Sequence, residues 1–133
     1  MDDLWGDLPN VDDIRTPYAI LLEQATLLTK KTRGMLTGSV SRTQDGVSFV
    51  NRLGITAPAL NNYAYSVCAI QHEIALYPVI FSGTAINPNS WERINDEPGL
   101  VERLRKELTA SYTQRVIAGL LAQIRADQLD KPT

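Results

Sequence analysis

His72 is the only imidazole in the 133 residues, and Glu73 beside it is the one charged side chain between Leu53 and Trp91. A His–carboxylate neighbour in so uncharged a segment is where a general acid–base group would be sought, because proton affinities shift where charge and water are scarce. The catalytic candidates are His72 and Glu73: His72 would be the acid–base group, with Glu73, Tyr77 or Arg52 polarising a substrate. Strand geometry opposes the pair, since adjacent residues of a strand point to opposite faces. Cys68 would share a face with His72, but four strand residues separate them by roughly 13 Å, beyond thiolate–imidazolium contact. The plainer reading of His72 is a half-buried histidine hydrogen-bonded to a neighbouring element.

Other chemistries find fewer residues. Zinc sites draw three or four ligands mainly from His and Cys, and the chain has one of each. Asp2, Asp3, Asp12 and Asp13 lack the glycine-containing pattern of a calcium loop, so no metal and no cofactor is expected. Gly34-Met35-Leu36-Thr37-Gly38-Ser39 lacks the Gly-Lys-Ser/Thr ending of a phosphate loop and precedes a strand pattern. No Gly-x-Ser-x-Gly nucleophile elbow occurs.

Tyrosine offers a different kind of site. Read as a strand with period 2, residues 63–77 place Tyr63, Tyr65, Gln71, Glu73 and Tyr77 on one face. Tyrosine is favoured at recognition surfaces because it offers large contact area, a polar tip and little rotamer entropy to lose. These five are the expected partner-binding residues. Stacking of RNA on them would require basic neighbours, and only Arg42 and Arg52 qualify, so nucleic acid is not an expected partner.

Charge sets the boundaries of the elements that must hold these residues. Residues 1–14 carry five Asp and no base, and Lys30 to Arg52 carry five bases and one acid. Leu53 to Trp91 is 39 residues with one charge, and from Glu92 onward seven acids face seven bases. The uncharged middle is expected to form the centre of the fold or an interface. Thirteen Lys+Arg against 15 Asp+Glu leave a net charge of −2, which argues against a bulk electrostatic grip on nucleic acid. One cysteine precludes an internal disulfide, the start is acidic where a secretory signal would be basic and apolar, and no membrane span appears. A cytoplasmic location follows as the expectation.

The spacing predicts a helix over 17–33, capped by Thr16, with Pro17 at its first position and Lys30, Lys31 and Arg33 at its basic end before Gly34. Strands are expected over 35–42 and 47–57 about an Asp45-Gly46 turn, followed by one bent strand or two over 63–81. Pro78 should fall at an edge, a bulge or a strand start. A short helix capped by Asn89 and a long helix from Gly99 to Asp127 complete the prediction. The fold class is α+β: an N-terminal helix, an antiparallel meander of three to four strands, then a short and a long helix packed on the sheet. Residues 1–15 read as an acidic, partly ordered tail on which Trp5, Leu8 and Val11 could dock loosely, 16–128 as one domain, and 129–133 as a polar tail.

The functional expectation is a non-catalytic protein-interaction module of bacterial type, such as an adaptor, accessory subunit or toxin-neutralising partner. It would bind another protein, or itself as a homodimer, through an apolar, tyrosine-bearing sheet face or the C-terminal helix. The alternatives are a small enzyme using His72 as acid–base group and a small-ligand-binding domain.

Overall fold

The computed structural model describes residues 1–130. Helix α1 (Pro17–Lys31) leads into five strands, β1 (Thr37–Asp45), β2 (Ser48–Ala57), β3 (Tyr63–Glu73), β4 (Val79–Gly83) and β5 (Glu92–Ile94), then helices α2 (Glu97–Leu108) and α3 (Ser111–Asp130). The strands pair in chain order and all antiparallel, so the sheet is a plain meander and the class is α+β.

Local chemistry accounts for most boundaries. Thr16 accepts a hydrogen bond from the Ala19 amide at 3.0 Å, so the first turn of α1 is capped as its hydroxyl allows. The β1–β2 hairpin closes through Gly46 and Val47 with Asp45 opposite Ser48, and Gly46 has φ +62° as the tight turn requires. After β2, Pro58–Leu60 forms a single 3₁₀ turn, and Asn61 and Asn62 both adopt left-handed backbone that asparagine tolerates. Pro78 stands immediately before β4, where its missing N–H breaks no ladder bond.

The structure corrects the predicted architecture in three places. The strand count is five, not three to four, because residues 63–81 form two strands joined by a turn at 74–78, and residues 92–94 add a third beyond the first hairpin. No short helix follows Asn89: Glu92–Ile94 pairs with β4 instead, since Glu92 and Ile94 face the core and Arg93 faces water. The long helix predicted over 99–127 is two helices. Thr109 caps α2, its hydroxyl bonding the Arg105 carbonyl at 2.7 Å, and Thr113 and Gln114 of α3 bond the Glu107 and Leu108 carbonyls at 2.8 Å each. The Arg105 carbonyl keeps its backbone bond from the Thr109 amide, and side chains of α3 take up the Glu107 and Leu108 carbonyls where the helix ends. Of the expected polar tail over 129–133, residues 129–130 belong to α3 and 131–133 lie outside the described residues.

All three helices lie on one face of the sheet. Ile20, Leu21 and Ala25 of α1, Leu100 and Leu104 of α2, and Leu120 and Ile124 of α3 close over Leu53, Ile55, Cys68, Ile70, Val79 and Phe81. Helix α1 sits so close to β1 that a Cβ on Gly38 would strike the backbone of Ala25. The other face carries Thr37, Ser39, Ser41, Arg52, Thr56, Ser66, Gln71 and Ser82 and no helix. The apolar outer face expected from the sequence is therefore a mixed face, on which Val50, Ala69 and Ile80 stand among polar side chains.

Candidate functional site

Residues singled out in the sequence divide between the two faces. In the β2–β3 register Leu53 faces Cys68 while Gly54 faces Ser66, so Val67 is an extra residue that shifts the alternation by one. Val67 and Cys68 are in consequence both buried. Tyr63 and Tyr65 share the helix-covered face, where the Tyr65 ring tilts against Tyr112 of α3 at 6.4 Å, whereas Gln71 and Glu73 share the open face. Tyr77 lies beyond the strand in the β3–β4 turn. A shared surface for all five, as strict alternation predicted, does not form. The signal in the sequence was the consecutive apolar pair Val67-Cys68, opposite Gly54.

His72 stacks on Phe49 (5.6 Å between centroids, 20° between planes), and its Nδ1 lies 2.7 Å from the Glu73 carbonyl oxygen. Both features hold the ring as a structural group, with the Glu73 carboxylate directed to the opposite face. A cleft of about 350 Å³ at the β3–β4 turn does gather Gln71, His72, Glu73, Tyr77 and Arg93. The one thiol is elsewhere: Cys68 is buried, and burial pushes its pKa up to about 12, which leaves no thiolate at neutral pH. Among the described residues no three His, Cys, Asp or Glu side chains gather in a way that could hold a metal ion.

The densest polar cluster was not anticipated. Arg103 donates from Nη1 to Glu107 Oε1 at 3.0 Å, from Nη2 to the Ile86 carbonyl at 3.2 Å and from Nε to Glu92 Oε2 at 3.2 Å, and it lies over the Phe81 ring at 4.5 Å. Glu107, wholly buried, accepts from the Ala85 amide at 2.7 Å. Arg103 holds the Glu92 carboxyl below its ordinary range, chiefly through that hydrogen bond. Gly83 gives the Glu107 carboxylate its room, because any Cβ there would overlap it. Every member is partnered, so the cluster is a latch that ties the 84–91 loop and β5 to α2. Its i, i+4 spacing, Arg103 to Glu107, was visible but resembled any exposed helix pair.

A larger opening lies between the helices. Helix α1 forms one wall, α2 and the start of α3 form the other, and the groove between them encloses about 390 Å³. Its floor is Leu53, Ile55 and Val67, which are only 4%, 3% and 1% exposed, so the slot is narrow. Leu28, Leu104, Leu108 and Ile117 line the walls. The charged lining residues among those described are Arg15, Lys31 and Arg105, all basic. Arg15 is engaged with Glu23 at 3.0 Å and with the partly buried Glu97 at 3.8 Å, and Arg105 with Glu102 in an exposed pair that exchanges at small cost. Lys31 has no ion-pair partner among the described residues and stands beside Lys30 and Arg33 at the basic end of α1. Gln24, Thr109, Thr113 and Gln114 line it as well, so the arrangement is a groove of mixed polar and apolar walls over a buried apolar floor, with basic residues at its rim that suit an acidic ligand. Compared with known proteins, the chain matches no family model, no curated protein and no solved structure.

Proposed function

We propose that the protein is a non-catalytic interaction module of the cytoplasm, whose groove between α1 and the α2–α3 pair receives an amphipathic, acid-bearing segment of a partner protein. The observation that carries this reading is the apolar floor beneath a lining whose charged residues, among those described, are all basic. Helix-in-groove recognition uses apolar anchors spaced along one side of a segment, and flanking charge sets specificity. The buried, protonated Cys68 and the tethered His72 ring favour this over an acid–base enzyme.

A fluorescent designed helix with leucines on one face and glutamates on the other tests it. Its polarisation rises on titration with the protein, its lysine counterpart stays free, and Lys31→Glu weakens binding several-fold, as losing one rim charge should. Equal binding of both helices with no effect of Lys31→Glu, or binding of neither, overturns the reading.

A further inference from the structure

The first 14 residues are long, acidic and unburied. Leu4, Trp5, Leu8, Val11 and Ile14 are 93%, 82%, 72%, 66% and 50% exposed, interleaved with Asp2, Asp3, Asp7, Asp12 and Asp13. Five large apolar side chains in water on one arm are an unusual burden for a folded chain and mark a surface meant to be covered. The same molecule carries a groove of mixed polar and apolar lining with basic groups at its rim, and none of residues 1–14 lines it. Charge sign, apolar character and exposure therefore match between arm and groove, yet the two do not meet within one chain.

We propose that the groove's resident occupant is the N-terminal arm, residues 1–14, of a second copy of this chain, exchanged reciprocally in a two-fold dimer. The proposal rests on the groove being a site for acid-bearing amphipathic segments. Within one chain the arm stays off the groove: it turns at 11–14, where the Ile14 amide bonds the Val11 carbonyl at 3.1 Å, and none of residues 1–14 lines the groove although Arg15 does. Reach presents no obstacle. Fourteen extended residues span up to about 46 Å, against about 22 Å for the 15-residue α1 that forms the groove wall. Each copy would contribute its arm and its groove walls, comparable with the roughly 20–30 residues a side of a standard interface. Two-fold exchange also makes the contact self-complementary, which closes the assembly at two chains.

The test uses the full chain. In light scattering over a dilution series, the mass moves from two chains toward one. Trp5→Asp combined with Leu8→Asp, both at exposed positions, abolishes the dimer without altering the circular dichroism of the fold. Lys31→Glu with Arg105→Glu also weakens it, and adding Asp2→Lys and Asp3→Lys restores it. In a Trp91→Phe background, Trp5 emission is blue-shifted and protected from iodide at high concentration and becomes exposed on dilution. A dimer indifferent to the arm substitutions, or a Trp5 protected at every dilution, overturns the exchange. A chain that stays monomeric yet binds the glutamate helix overturns this inference and leaves the groove reading standing. If the monomeric arm variant binds no glutamate helix, the groove reading itself fails.

Discussion

Tyr77 carries a hydroxyl that is buried without a hydrogen-bond partner, and the Asn51 side chain, 0% exposed on the covered face of β2, leaves both amide atoms in the same condition. An unpaired buried polar atom costs about 1–3 kcal/mol, so these positions lower stability unless something outside the isolated chain requires them. Burial, and then the negative Glu97, push the Tyr77 phenol up to about 12. A group whose folded value lies above its unfolded one stabilises the fold fully below the unfolded value, near 10, and loses that contribution as pH climbs toward the folded one. Tyr77→Phe should therefore raise stability by about 1 kcal/mol at neutral pH by removing the orphan hydroxyl. Above pH 10 the gap should widen, because the variant has no phenol to ionise on unfolding. Urea midpoints of the two proteins, at neutral pH and above pH 10, check both parts; a constant gap would show that the phenol does not titrate between the two states.

Elements follow their sequence where caps and turns are local, and depart from it where tertiary contacts decide. Thr16-Pro17, Asp45-Gly46 and Asn61-Asn62 carry their structural meaning within three or four residues, and the helix start, hairpin and turn stand where those residues placed them. The bulge at Val67 is different, since one inserted residue reverses the face of everything beyond it and separates Tyr63 and Tyr65 from Gln71 and Glu73. The break between α2 and α3 was hidden for a similar reason. Leu100, Leu104, Leu108 and Tyr112 continue one stripe through it, and only the inward Glu107 and the Thr109 and Thr113 hydroxyls mark the turn. The groove was illegible because its walls come from α1, α2 and α3, and its floor from β2 and β3. Gly119 supplies a check on α3 as a helix in its own right. It is exposed, and a Cβ there would meet nothing within 4 Å. Gly119→Ala should stabilise by about 1 kcal/mol, the difference in helix propensity between the two residues. An unchanged thermal midpoint would mean that this turn of α3 is frayed in solution.

At the scale of the molecule, the helices divide their cover of the sheet unevenly. Helix α1 packs on β1 and β2, α2 reaches β3, and α3 reaches the 3₁₀ turn, and the groove runs where α1 meets α2 and α3 above the buried Leu53, Ile55 and Val67. The latch of Arg103 with Glu92 and Glu107 fixes α2 to the β4–β5 side of the sheet. The outer face of the sheet offers a more mixed surface, Ser, Thr, Arg52, Gln71 and Glu73 beside half-buried Val50, Ala69 and Ile80. Filling the groove should be compatible with folding and incompatible with binding. Leu28 is partly buried on the α1 wall, and a tryptophan there would occupy the slot without displacing Ile20, Leu21 or Ala25, whose side chains hold α1 to the sheet. Leu28→Trp is expected to keep the circular dichroism spectrum and a thermal midpoint no lower than the parent's, since it buries further apolar surface where space exists. It should at the same time lose the glutamate helix and the dimer together, which light scattering and polarisation read on the same sample. Retention of both by a folded Leu28→Trp protein would move the binding surface away from the helices, toward the sheet's open face.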